Sequence, residues 1–428
     1  MKHSGTLNWD KMCELYLPRV VDEEIDEMLS IFGAVYISGC KWCGKTWTGI
    51  AHSRSSLFLG DPKNRILAKT DLDLALEGEE PRLVDEWQDV PDTWDLARHN
   101  IDILNRRGMY IFTGSVTPPA ESKRHSGTGR FAPIKMRPMS LFESKDSNGS
   151  ASLSKLFEGE KPPTSKSNAG YAEVVNFICR GGWPAGLGID DKKAMSIPSK
   201  YVDMIVNYDF TETDGIKRNP MTVKRILRSL ARNNATEARI SVLANDLTDD
   251  NVPMSAVTAK NYLDALSRLF IIEEQYAWLP EVRSKTRMRT APKRHFVDPS
   301  LAVAALKINR EALINDVETV GFLFESLCYR DLCIYSEPFG GSVYHYRDEN
   351  GLEVDAILEY KDKWAAVEVK VGHYKVDEAA ANLIRLREKM VAGGVPEPAF
   401  LMVICATTQT SYVRKDGVYV VPIDCLGP

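Results

Sequence analysis

The sequence predicts a multidomain α/β protein, and three observations carry that prediction. The loop Gly39-Cys40-Lys41-Trp42-Cys43-Gly44-Lys45-Thr46 lies between a strand-like run, Ala34-Val35-Tyr36-Ile37, and a stretch able to open a helix. From Ile226 to Leu269 the pattern turns to helices alone. After a turn signal at Asn350-Gly351, strands and helix alternate again. With 428 residues, the chain is too long for one ordinary core, and two or three domains are expected.

The first loop matches G-x-x-x-x-G-K-[ST], the pattern that cradles phosphate. Gly39 and Gly44 let the backbone turn tightly, so that N–H groups from Cys40, Lys41, Trp42 and Cys43 converge on phosphate oxygens. Lys45 then neutralises the β and γ phosphates, and the Thr46 hydroxyl is a ligand for Mg²⁺. A helix opening at Thr46 directs its N-terminus at the same anion. The expected ligands are ATP and Mg²⁺.

In chain order, Leu15 to Leu29 reads as an amphipathic helix opened by Pro18-Arg19, and Ser56 to Leu59 as a second strand. Arg82-Leu83-Val84-Asp85-Glu86 is an apolar strand ending in two acids, the Walker B arrangement. Asp85 is expected to hold Mg²⁺ through water and Glu86 to activate the attacking water. Met109 to Phe112 forms a further strand ending in Thr113-Gly114-Ser115, and Thr113 or Ser115 would sense the γ-phosphate. His125-Ser126-Gly127-Thr128-Gly129-Arg130 ends in the first candidate for an arginine finger, Arg130, with Arg137 behind it; a plain surface arginine is an equal reading. Glu143 to Ser167, rich in Ser, Lys, Gly and Pro, reads as a flexible loop or linker. A helix from Tyr171 to Cys179 then stops sharply at Gly181-Gly182-Trp183-Pro184, leaving Arg180 as a lid sensor or a helix-end charge.

Composition is that of a globular chain, with 44% hydrophobic and 26% charged residues. A net charge of −5 does not advertise nucleic-acid binding, so any such surface must be local. The N-terminus lacks the apolar core of a signal peptide, and no run approaches the roughly 20 apolar residues of a membrane helix. The eight cysteines show no framework spacing, and Cys40-x-x-Cys43 lies within the phosphate loop without a second pair to complete a metal site. The expected compartment is cytoplasmic, with no membrane partner.

In the middle of the chain, a short helix from Ile240 to Leu247, a break at Asp249 to Pro253 and a longer helix from Ser255 to Leu269 precede a β-branched run, Phe270-Ile271-Ile272. Helix, turn, helix, strand is the order of a winged helix. Thr258, Lys260, Asn261 and Arg268 lie on the longer helix, and Arg283 to Arg289, extended by Lys293-Arg294, is the densest basic cluster. That suits a DNA backbone, while a protein-packing winged helix is the bland alternative.

The last third carries a second constellation. A helix from Phe322 to Tyr329 contains Glu325; strands Ser342 to Asp348 and Leu352 to Leu358 form a hairpin, the second bearing Asp355; and the strand Ala365 to Lys370 carries Glu368-x-Lys370. Alternation puts Glu368 and Lys370 on one face, within reach of Asp355. The carboxylates of Asp355, Glu368 and Glu325 could hold one or two divalent metals, with Lys370 orienting water on a phosphodiester; an ordinary solvent-facing strand is the alternative.

Taken together, these motifs resemble a family of prokaryotic AAA+-type ATPases with a C-terminal PD-(D/E)xK nuclease-like domain of unknown function. The resemblance rests on Lys41-Trp42-Cys43-Gly44-Lys45-Thr46, Val84-Asp85-Glu86-Trp87-Gln88, Thr113-Gly114-Ser115, His125 to Arg130, Gly181-Gly182-Trp183-Pro184 and the set Asp355, Glu368 and Lys370. It departs from the superfamily's common Pro-Asp dipeptide, since Asp355 here follows Glu353-Val354. It implies a P-loop AAA+-type ATPase domain over residues 1–195, a helical and winged-helix domain over 196–300, and a restriction-endonuclease-like mixed α/β domain over 301–428. It further implies a homo-oligomeric ring, with a hexamer favoured, and an arginine finger in trans. The function expected is Mg²⁺-dependent ATP hydrolysis coupled to remodelling or translocation of DNA, with a C-terminal domain that binds or cuts it. Its rival is an ATP-dependent, protein-directed switch whose nuclease-like domain is catalytically dead.

Overall fold

The computed structural model describes residues 15–115, 127–210, 218–246, 254–280 and 291–428. The chain folds as two compact units, one of residues 1–137 with 268–270 and one of residues 138–267 with 271–428. Residues 138–195, grouped by sequence with the phosphate loop, therefore cluster with the second unit.

The first unit is built on a five-stranded sheet of β1 (Ala34–Gly39), β2 (Ser55–Phe58), β3 (Arg82–Asp85), β4 (Tyr110–Gly114) and β5 (Phe131–Met136). All pairings are parallel and the order is β2-β3-β4-β1-β5. Parallel strands covered by helices on both faces read as continuous apolar runs, which is how Val35, Ile37, Leu83, Val84, Ile111 and Phe112 appear. One face is filled by aromatic rings: Trp94 stacks on Phe131 with ring centres 3.9 Å apart and lies 4.8 Å from Trp87. The helix expected over Leu15 to Leu29 runs Asp22–Ile31. Pro18 disfavours helical geometry in the residue before it, and the Arg19 N–H donates to the Asp22 carboxylate at 2.8 Å, fixing the start there.

The second unit contains β6 (Ala151–Ser152), β7 (Ile272–Gln275), β8 (Lys293–Phe296), β9 (Ser342–Arg347), β10 (Glu353–Tyr360), β11 (Lys363–Lys370), β12 (Leu401–Cys405), β13 (Tyr412–Val413), β14 (Tyr419–Pro422) and β15 (Leu426–Gly427). Six of these form a mixed sheet, β13-β14-β12-β11-β10-β9, whose antiparallel hairpin β9–β10 turns at Asn350-Gly351 as the sequence predicts. Helix Val376–Ala392 packs Val376, Ala380, Leu383 and Leu386 into the core over this sheet. Helices Ile240–Asp246 and Ala256–Arg268 precede the two-stranded pair β7–β8. The break at 249–253 and the basic cluster at 283–289 lie outside the described residues.

Residues 143–167 are not a free linker. They contain β6 and a short helix, Leu153–Glu158, and are bound along the C-terminal region. β6 pairs with β15, Asn148 N donates to the Asp424 carbonyl at 2.9 Å, and Ser165 N donates to Ser411 Oγ at 2.8 Å. Phe157 enters a cluster with Phe339, Tyr360 and Phe400. Polar composition suggested a loop, but Leu153, Leu156 and Phe157 provide the apolar face that anchors it.

A buried ion triad holds the Gly181-Gly182-Trp183 corner. Arg330, on helix Val317–Ser336, donates to Asp298 Oδ2 at 2.6 Å and to Asp331 Oδ1 at 2.9 Å. Asp298 also accepts from Gly182 N (2.9 Å), and Asp331 from Leu141 N (3.1 Å). A Cβ on Gly182 would fall 1.9 Å from the Met139 carbonyl, so only glycine fits this seam. Replacing Arg330 with Met leaves two buried carboxylates uncompensated, and chemical denaturation of that variant should show a loss of about 3–5 kcal/mol.

Candidate functional site

Because β1, β3 and β4 are parallel neighbours, their C-terminal ends open on one edge of the sheet, where ligands of such sheets bind. Gly44, with φ of 110°, caps helix Lys45–Ala51. A Cβ on Gly39 would fall 2.1 Å from the Met136 carbonyl, so the loop passes too close to β5 for any other residue. Lys45 is buried, and its Nζ donates to the Cys40 carbonyl at 2.8 Å, closing the loop on itself.

β4 lies between β1 and β3, and this order produces the site's main contact. Asp85 Oδ1 accepts from Thr46 Oγ1 at 2.8 Å and from Thr113 Oγ1 at 2.6 Å. Burial raises the Asp85 pKa, and the two hydroxyls only partly offset it. Glu86 leaves the strand in the left-handed region (φ 54°), a strained conformation for a side chain of its size. Its N–H donates to Thr113 Oγ1 (3.2 Å), and its carboxylate accepts from Ser115 Oγ (3.0 Å) and from Gln88 Nε2. The structure thus brings Lys45, Thr46, Asp85, Glu86, Thr113 and Ser115 to one edge.

Arg130 sits elsewhere. Its carbonyl accepts from Ala34 N, the first residue of β1, so it stands at the opposite edge of the sheet from the phosphate loop, about 16 Å away by strand rise. Its Nε donates to Asp102 at 2.7 Å and its guanidinium is 43% exposed. Arg130 cannot serve the loop of its own chain. Arg137 is buried, and Arg180, in the second unit, pairs with Asp146 at 2.5 Å.

In the sequence Arg19 reads only as part of the helix opening at Pro18-Arg19, not as a site residue. It is buried, and its guanidinium donates to the Cys43 carbonyl (2.8 Å) and the Arg137 carbonyl (2.9 Å), bracing the phosphate loop from behind. Burial alone would raise the Cys43 pKa, but a hydrogen bond from Cys40 and the charges of Lys45 and Arg19 bring it to about 6.

In the second unit the predicted charged set also converges. β10 and β11 are antiparallel neighbours, and the register of β10 against β9 slips between Val354 and Ile357, a bulge at Asp355. Lys370 Nζ lies 3.3 Å from Asp355 Oδ2 and 2.5 Å from Glu368 Oε2. Glu368 is almost fully buried in a strand covered on both faces, so the solvent-face reading of β11 does not hold. Asn382 Nδ2 donates to the same Glu368 carboxylate at 3.3 Å.

Lys293 and Arg294 do not extend an exposed basic patch: both are buried. Arg294 pairs with Glu274 at 3.2 Å. Lys293 Nζ stands 2.8 Å from Glu325, 3.2 Å from Glu353 and 3.8 Å from Asp355. Burial opposes the charge on Lys293, but Glu325, Asp355 and Glu353 outweigh it and raise its pKa. Burial likewise raises the Glu325 pKa, and although Lys293 works against it, the value settles at about 7. Glu368 is pushed well above the carboxylate range by burial and by Asp355, whereas Lys370 and Lys293 outweigh burial at Asp355 and lower it. Among the described residues, no group of three or more His, Cys, Asp or Glu side chains is arranged to hold a metal ion.

Behind this cluster, His295 Nδ1 and Ser326 Oγ are 2.7 Å apart, and His295 Nε2 and Gln275 Oε1 3.0 Å apart. Gln275 Nε2 donates to the Asp355 carbonyl at 2.9 Å, which carries the packing of His295 to the bulge.

Comparison with known proteins bears chiefly on the first unit. Residues 32–145 match a family described as an AAA domain. That stretch is similar to P-loop ATPase domains of AAA type. Residues 171–312 and 320–426 match two families described as domains of unknown function, DUF8612 and DUF4143. An uncharacterized protein of Haemophilus influenzae is 23% identical over 245 residues, 57% of this chain and 56% of that protein. Uncharacterized protein Rv2008c of Mycobacterium tuberculosis is 22% identical over 290 residues, 67% of this chain and 58% of that protein. The chain therefore spans a little over half the length of these relatives. Among solved structures, the Walker-type ATPase PABY2304 of Pyrococcus abyssi is similar at 16% identity and a TM-score of 0.41, over 69% of this chain and 97% of that one. DnaA from Aquifex aeolicus bound to AMPPCP is similar at 12% identity and a TM-score of 0.29, over 61% and 92%. Among the described residues, no helix is long and apolar enough to cross a membrane.

Two outcomes follow. Replacing Arg19 with Ala removes the brace under Cys43, and ATP affinity, read by fluorescent-nucleotide titration, should fall roughly tenfold, as for a lost charged hydrogen bond. His295 is held neutral, its pKa lowered from 6.5 to about 3 by burial and by Lys293. The folded state then binds fewer protons than the unfolded one between those values, so stability is full above pH 6.5 and declines as pH falls towards 3. Denaturant midpoints measured from pH 7 to 5 should decline, and His295→Gln should flatten that slope.

Proposed function

We propose that the protein is a Mg²⁺-dependent ATPase that acts on DNA, coupling ATP hydrolysis to binding and remodelling or translocation of the nucleic acid. The observation that carries the ATPase reading is the convergence on Asp85, where Thr46 of the phosphate loop and Thr113 of β4 donate to the same carboxylate oxygen. A hydroxyl and a carboxylate facing one point form the hard oxygen donor set that suits Mg²⁺. The residues present thus fit the ion: Thr46 would hold it directly and Asp85 through water, and when bound it neutralises charge on the phosphates.

Gly39 to Gly44 present backbone N–H groups to the phosphates, and Lys45 moves its ammonium from the Cys40 carbonyl to the γ-phosphate. Glu86 accepts a proton from the attacking water, held in orientation by Ser115 and Gln88. Gln88 Oε1 is buried with no hydrogen-bond partner among the described residues, leaving an acceptor beside Glu86 for that water. Arg130, at the far edge of the sheet, would act on the nucleotide of a neighbouring copy in a homo-oligomeric ring.

For the DNA, the second unit offers a cavity of about 1040 Å³. It is lined by Lys192, Lys224, Arg225, Arg228, Lys307 and Arg310 against the acids Asp203 and Glu311. Such an excess of positive charge in a concave surface suits a phosphodiester backbone. It supplements the winged-helix reading of the helices before β7. In this reading the first unit carries ATP hydrolysis, the residues around the cavity carry the DNA contact, and 301–428 form a nuclease-like fold that grips the nucleic acid.

Steady-state ATP hydrolysis with Mg²⁺, with and without linear and branched DNA, tests the proposal. Lys45→Ala should abolish turnover, and Glu86→Gln should bind ATP while hydrolysing it at least ~100-fold more slowly, the usual scale of a lost general base. DNA should stimulate the wild type, and Lys224→Glu with Arg228→Glu should remove that stimulation. No response to any DNA would favour the protein-directed switch, and normal hydrolysis by Glu86→Gln would overturn the role given to Glu86.

A further inference from the structure

We infer that the ammonium of Lys293 occupies, within the carboxylate cluster of the second unit, the place where the nuclease resemblance puts a divalent cation, so that this centre is closed to catalytic metal. The inference rests on the geometry of the cluster and stands apart from the ATPase reading.

The carboxylates that a metal would need are already committed. Glu325 Oε1 accepts from Lys293 at 2.8 Å. Asp355 directs Oδ1 towards Lys293 (3.8 Å), while its Oδ2 accepts from Val369 N (2.7 Å) and Lys370 Nζ (3.3 Å). Glu368 uses Oε2 for Lys370 (2.5 Å) and Oε1 for Asn382 (3.3 Å). Every carboxylate oxygen named here faces a hydrogen-bond donor or an ammonium. A Mg²⁺ or Mn²⁺ ion needs about six oxygens at roughly 2.0–2.2 Å. Placed among Glu325, Asp355 and Glu368, it would stand within a few ångströms of two ammonium groups, against strong repulsion in a buried setting.

Nor is Lys293 a surface residue that can swing aside. Its side chain is 3% exposed. It springs from β8, which is paired residue by residue with β7. The neighbouring His295 is enclosed by Ser326 and Gln275 and stacks on Tyr329 with ring centres 4.3 Å apart. Moving the ammonium out would leave Glu325 buried without its cation and would break this packing. The cluster instead works as an internal electrostatic joint, tying β8 to helix Val317–Ser336 through Glu325 and to β10 through Glu353 and Asp355. A centre of this kind can hold the domain's shape against DNA but lacks the metal needed to cut it.

The test is Mn²⁺ binding to the nucleotide-free full chain, followed by electron paramagnetic resonance, with Asp85→Asn run in parallel to account for ion bound at the phosphate loop. In the wild type, Asp355→Asn should leave Mn²⁺ binding unchanged. Lys293→Ala, which uncovers Glu325 and Asp355 together, should gain one site that binds roughly tenfold or more tightly than any wild-type site outside the phosphate loop, and adding Asp355→Asn should abolish it. A wild-type site lost in Asp355→Asn but kept in Asp85→Asn would overturn the inference, and that comparison needs no Lys293 variant to fold. A folded Lys293→Ala protein that gains no site would overturn it equally. An ATPase defect would register only through Asp85→Asn and leave the comparison at Asp355 intact.

Discussion

Charge taken out of water must meet opposite charge at contact distance, and this constraint shapes the second unit more than any single hydrophobic contact. Arg330, almost fully buried, can exist there only because Asp298 and Asp331 flank it. Those carboxylates have acceptor capacity to spare: Asp298 Oδ2 accepts from Gly182 N as well as from Arg330, and Asp331 Oδ2 accepts from Leu141 N, which ties the corner at residues 139–183 to Asp298 and to helix Val317–Ser336. The same helix answers a second buried cation one and a half turns earlier, where Glu325 meets Lys293. One helix thus carries two electrostatic joints, and the segments around it are placed by the need to satisfy them.

The first unit meets a different demand, that of holding groups ready for a polyanion. Here strand order does the placing. With β4 between β1 and β3, a hydroxyl at the end of β4 falls beside the acid at the end of β3 and the loop after β1. Thr113 consequently touches both Asp85 and the backbone of Glu86, coupling the two acids through one side chain. Glu86 accepts a left-handed backbone as the cost of turning its carboxylate towards Ser115.

Much of this was legible in the sequence where chemistry and local pattern coincide. The phosphate loop, the strand ending in Asp85-Glu86 and the hairpin at Asn350-Gly351 each combine a residue type with a spacing that has one physical meaning, and the structure places them accordingly. What escaped was set by contacts distant in sequence. Residues 143–167 look like a linker because their composition is polar, and only their partners at 411–427 make them ordered. Lys293 beside Arg294 looks like part of a basic patch, and only the fold shows one facing Glu325 and the other Glu274. Arg19 reads only as a helix opener, and its bracing role escaped because its partners are backbone carbonyls at Cys43 and Arg137.

The pairing of β6 with β15 has a kinetic side. Ser152 donates to the carbonyl of Pro428, 276 residues further along the chain. A segment whose edge is supplied from that distance cannot settle as it leaves the ribosome; its partner strand does not yet exist, and closing so long a loop is slow. Leu153, Leu156 and Phe157 would meanwhile present their apolar face to solvent. Assembly of this part of the second unit therefore waits until residues 426–428 have been made, and the apolar face of 153–157 stays uncovered until then.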